Sequence, residues 1–80
     1  MRVEVKILIE KSCFDDWYEF YKSYELRRKK FVADEQIQKI SEQEARVSFE
    51  IIDLSGLTEL SSEAFIREKE NDLGVVVSII

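Results

Sequence analysis

Trp17, Tyr21 and Tyr24 recur at intervals of four and three residues, and Arg28 follows four residues later. At about 100° per residue this spacing lays all four along one stripe of a helix. There three rings could wall a planar apolar ligand, the tyrosine hydroxyls could orient it, and the guanidinium could hold the negative charge of a carboxylate or enolate. The same stripe packs as core, since three large rings fill the space a ligand needs. An arginine near a helix end can also lay its stem over Tyr24 or Phe31 while its head reaches water. Arg28 is therefore read either as a snorkelling cation or as the anion handle at the mouth of a pocket.

Other residues with chemical capacity have simpler readings. A helix start can lower the pKa of Cys13, but no base accompanies it, so it reads as a small hydrophobe. Paired acids at Asp15 and Asp16, Glu42 and Glu44, and Glu68 and Glu70 could ligate a metal or share acid and base roles. Each pair falls on a segment expected to face solvent. The basic run 27–30 sits where cations complement the negative end of a helix dipole. Histidine is absent, which removes His-dependent triads and most zinc constellations. Gly56 and Gly74 are too far apart to build a phosphate-cradling loop. No catalytic residue, metal ligand or cofactor is assigned on this basis.

Composition narrows the function classes further. Among 80 residues, 12 Lys and Arg face 17 Asp and Glu, giving a net charge of −5, which argues against a nucleic-acid partner. No apolar run reaches the length of a membrane span, and charge alternates with apolar residues where a signal peptide would be continuously apolar, so a cytoplasmic location without membrane contact is expected. One cysteine cannot form an internal disulfide. A chain of this size buries only about 60% of its unfolded surface, so association with a second copy would help it.

The elements that must position these side chains follow from periodicity. Val3, Val5, Ile7 and Ile9 alternate with Arg2, Glu4, Lys6 and Glu10, the period of a half-buried strand. Ser12 to Asp15 reads as a capping box for a helix starting at Cys13 and ending near residues 30–32. Residues 36–41 and 45–52 read as a hairpin around a turn at 42–44, the first strand mostly polar and changing face at Ile40, as an edge strand or a bulge would. Asp53 can cap a helix carrying Leu54, Leu57 and Leu60; a break near Ser61, with Ser61 or Ser62 as a new cap, turns Phe65 and Ile66 inward. Asn71, Asp72 and Gly74 stop that helix, and the β-branched run 75–80 forms a last strand.

The order β-α-β-β-α-β predicts one α+β, ferredoxin-like domain over residues 1–80, a four-stranded antiparallel sheet of order 4-1-3-2 with its helices on one face. The other face would carry Glu4, Lys6, Leu8, Arg46, Ser48, Glu50, Ile52, Val76, Ser78 and Ile80. With the first and third strands taken as parallel neighbours, Glu4 would meet Arg46 and Lys6 would meet Glu50. That mixed face is either solvated or, as expected here, covered by a second copy in a homodimer, which would also protect the β-prone edge at residues 75–80.

Phe14-Asp15-Asp16-Trp17, the run Val47-Ser48-Phe49-Glu50-Ile51-Ile52-Asp53-Leu54, Ser61-Ser62-Glu63 and Asn71-Asp72-Leu73-Gly74-Val75 together give a chain that resembles the dimeric α+β barrel superfamily. Antibiotic-biosynthesis monooxygenase-like proteins and uncharacterised bacterial families belong to it. The resemblance covers nearly the whole chain through element order and apolar spacing rather than a catalytic motif. It implies a homodimer whose sheets form a central barrel, with any ligand pocket between sheet and helices. Haem-degrading members use a histidine that this chain lacks. Expectation centres on a binding or structural protein, whose partners are a second copy and a small-molecule ligand. The alternative is a cofactor-independent monooxygenase or isomerase of a small aromatic or carbonyl compound held against Trp17, Tyr21, Tyr24 and Arg28. An enzyme would need room of roughly 300 Å3 between the aromatic helix and the sheet.

Overall fold

Alternate β-branched residues make Arg2–Ile9 the first strand, β1, with Val5, Ile7 and Ile9 buried. The computed structural model describes all 80 residues and continues with α1 (Phe14–Ser23), α2 (Glu25–Arg28), β2 (Val32–Ser41), β3 (Glu44–Ile51), α3 (Leu54–Ser61), α4 (Ala64–Leu73) and β4 (Val75–Ile79). The four strands form one antiparallel sheet in the order β2-β3-β1-β4. Read from its other edge, this is the expected 4-1-3-2.

The expected parallel pairing of the first and third strands is overturned. The hairpin reverses the chain between β2 and β3, so β3 runs antiparallel to both β2 and β1. The register sets Glu4 opposite Ser48, Lys6 opposite Arg46 and Arg2 opposite Glu50. The pairings proposed for Glu4 with Arg46 and Lys6 with Glu50 are absent; two cations face each other instead.

The aromatic helix is also two helices. Tyr24 leaves helical geometry at φ −119° and ψ 23°, ending α1 and starting a single further turn, α2. The N-cap of α1 is Cys13, which makes no side-chain cap bond, and Ser12 donates its hydroxyl proton to Asp16 Oδ2 rather than accepting from the backbone. A tertiary contact does part of that work, Phe14 N–H donating to the Glu42 carbonyl at 2.6 Å. Asp53 caps α3 as expected, accepting from Gly56 N–H, and the break falls at Ser62 and Glu63, directly after Ser61. Glu63, not a serine, precedes α4; Ser62 hydrogen-bonds back to the Thr58 carbonyl. Ile66 is buried, but Phe65 turns outward, 47% exposed.

The polar edge strand begins four residues earlier than the periodicity suggested. Its register slips once between Lys39 and Ser41, where the face change was expected, and once between Ala33 and Gln36. The second slip centres on Asp34, which adopts φ 52°. The core lies between the helices and one sheet face: Val5, Ile7, Ile9, Ala45 and Val47 meet Trp17, Phe20, Tyr21, Leu60, Ile66 and Leu73.

Candidate functional site

The aromatic stripe brings Trp17, Tyr21, Tyr24 and Arg28 together. Trp17 stacks on Tyr21 with ring centroids 4.9 Å apart, and Tyr21 meets Tyr24 edge-on at 5.7 Å. The Arg28 guanidinium carbon stands 3.5 Å from the Tyr21 ring centroid and 4.9 Å from that of Tyr24. Arg28 does not snorkel. Its side chain is 5% exposed and its head points inward, because Glu35 meets it there.

Glu35 was not singled out in the sequence. The slip at Asp34 aims it to the helix side, in phase with Ile37, where it accepts from Arg28 Nε at 2.7 Å and Nη2 at 3.0 Å, and from the Tyr21 hydroxyl at 2.7 Å. Arg28 Nη1 donates to the Tyr21 carbonyl at 2.7 Å. A guanidinium has five N–H groups, and the Tyr24 side chain stands within reach of those that Glu35 and the Tyr21 carbonyl do not take. Burial works against the Arg28 charge, but the hydrogen bonds to Glu35 and the surrounding acidic groups outweigh it, raising its pKa above the ordinary value. Burial pushes the Tyr21 hydroxyl well above its usual range, the Arg28 charge opposing and Glu35 adding to the rise. Tyr24 is pushed up by burial to about 12, again against Arg28.

These residues line a cavity of about 140 Å3, closed by Val5, Val47 and Phe49 of the sheet and by Leu60 and Glu70 of the helices. Burial raises the Glu70 pKa, partly offset by Arg67. Arg28 and Glu35 also line a surface hollow of about 340 Å3 beside Tyr18 and Lys29, so their ion pair stands in both the cavity and this hollow. The internal space is about half of what a catalytic pocket on a small substrate needs. No three acidic, Cys or His side chains gather in a way that could hold a metal.

Register puts Glu4, Lys6, Leu8, Arg46, Ser48, Glu50, Val76 and Ser78 on the sheet face away from the helices. Ile80 follows β4 and donates its N–H to the Glu4 carbonyl. Ile52 lies just beyond β3, tied to the Phe31 carbonyl and 63% exposed. Arg46 Nε on this face is buried without a hydrogen-bond partner. Comparison with family models, curated proteins and solved structures returned no match.

Proposed function

We propose that the chain is one protomer of a homodimer, a ferredoxin-like unit of the dimeric α+β barrel kind, with a binding or structural role and no catalytic centre. The observation that carries this reading is the open sheet face. It holds Arg2, Lys6 and Arg46 against Glu4, Glu44 and Glu50, a balanced set on a chain of net charge −5, and Arg46 Nε there lacks an acceptor. Two such faces related by a twofold axis can set cations over carboxylates, give Arg46 that acceptor and cover Val76 and Ile80, which are 42% and 59% exposed. The narrow cavity and the engagement of Arg28 by Glu35 favour a non-catalytic role.

Native mass spectrometry of freshly purified protein tests this. A dimer without added mass is the expected result; monomer alone at micromolar concentration overturns it. A second reading, a cofactor-independent monooxygenase or isomerase of a small aromatic or carbonyl compound, has one observation in its favour: Arg28, Tyr21 and Tyr24 line the cavity together. Added small-molecule mass on the protein would favour it. No helix is long and apolar enough to cross a membrane, and the reading places the protein in the cytoplasm.

A further inference from the structure

We propose that the helical layer carries a second contact between copies, in which the Leu26 knob of one chain enters the groove between α1 and α4 of another. The groove spans about 680 Å3, with Phe20 and Phe65 as apolar wall and Asp16, Glu19, Glu68 and Asp72 around Lys69. Four carboxylates against one ammonium concentrate much of the chain's negative charge there. Phe65 is 47% exposed in this wall, its ring edge-on to Tyr24.

The occupant that fits is an apolar anchor flanked by cations, and the chain presents one. Leu26, in the single turn α2, is 79% exposed, with Arg27, Lys29 and Lys30 exposed beside it. The next residue inward, Arg28, is clamped by Glu35, so the knob is held on a fixed turn and loses little freedom on docking. Arg27 pairs with Glu63 and Lys29 with Glu25, but both pairs are solvent-exposed and exchange at little cost; Lys30 has no ion-pair partner. The knob follows the end of α1 and the groove runs along α1. A twofold axis that sets α1 antiparallel to its copy therefore makes the contact twice. This surface lies opposite the open sheet face, so the contact stands apart from the proposed dimer and would join such dimers into larger assemblies.

Sedimentation equilibrium of the full chain at low salt and at about 1 M salt, where the screening length falls to about 3 Å, tests it. The expected low-salt mass exceeds the high-salt mass at least twofold and rises with concentration, because each dimer presents two free helical faces. A knob-reversed variant, Lys29→Glu with Lys30→Glu, and a groove-reversed variant, Glu68→Lys with Asp72→Lys, should each lose the low-salt step alone. Mixed in equal amounts they should regain it, because each reversed surface then meets its complement. Val76→Lys on the sheet face halves the high-salt mass and leaves the salt step in place, so failure of one contact does not imitate failure of the other. Equal wild-type masses at both salts, or a mixture sedimenting like its separate components, overturns the proposal.

Discussion

Arg28 can be buried because each element of its charge is answered nearby. Taking one ion out of water costs several kcal/mol, and the two Glu35 oxygens, the Tyr21 carbonyl and two ring faces repay that cost only together. Glu35→Ala is therefore expected to destabilise the fold by about 3 to 5 kcal/mol, since it strands a buried cation, whereas Arg28→Met with Glu35→Met should lie within about 1 kcal/mol of wild type. Urea unfolding of both variants checks this; a double variant as unstable as the single one would mean that the pair does more than neutralise itself. The tyrosines give a second expectation. Tyr24 has an ordinary value of 10.0 and is raised to about 12 by burial, so the unfolded chain releases this proton first as pH rises. The stabilising contribution is complete below pH 10 and declines between 10 and 12 by about 1.4 kcal/mol per pH unit. Tyr24→Phe should lose stability less steeply than wild type across that window; equal slopes in urea titrations would rule out this hydroxyl as the group responsible. Half of the Arg28 site could be read from helical spacing. Glu35 could not, because the periodicity starts that strand only at Gln36 and the extra residue at Asp34 breaks the period-two count from Val32.

Among the elements, those read correctly are the ones whose signals are local. Alternating Val and Ile fix β1, Asp53 caps α3, and Gly74 ends α4 at φ 69°, the left-handed region that side chains disfavour. A Cβ at Gly74 would also stand 2.8 Å from the Lys11 backbone nitrogen, in the stretch where Lys11 N–H bonds the Leu73 carbonyl. Gly74→Ala should therefore cost at least the roughly 1 to 2 kcal/mol of the left-handed conformation. For a chain of this size that lowers the thermal midpoint by at least about 4 °C, measurable by circular dichroism. Elements misjudged from the sequence depend on distant partners. The interruption at Tyr24 lies inside a continuous helical pattern, so nothing in residues 13–31 alone announces it; in the folded chain it lets α2 turn Arg28 toward Glu35. Likewise residues 32–35 join β2 only because Ile51 and Glu50 offer Val32 and Ala33 a pairing edge.

At the scale of the whole molecule, a radius of gyration of 11.8 Å matches a fully collapsed chain of this length, yet only 13 of 80 residues are buried. Strand order was legible because short right-handed connections leave few alternatives, while the direction of β3 against β1 follows only when the chain reversal at the hairpin is counted. What the fold leaves uncovered is concentrated on β4, which is exposed on both faces. Val76 points to the open face opposite Leu8, and Val77 points to the helix side opposite Ile7, 42% and 50% exposed. These neighbours separate face packing from edge pairing. If two open faces pack together, Val76→Lys buries a cation beside Lys6 in the interface and should weaken the dimer by at least tenfold, about 1.4 kcal/mol. Val77→Lys, on the same strand but outside that face, should leave it intact. Pairing along the β4 edge would instead run through backbone groups and respond alike to both changes. Sedimentation over a concentration series at about 1 M salt, which suppresses contacts held by screened surface charge, distinguishes the two. A dimer that tolerates both lysines, or yields equally to both, removes the open face as the interface.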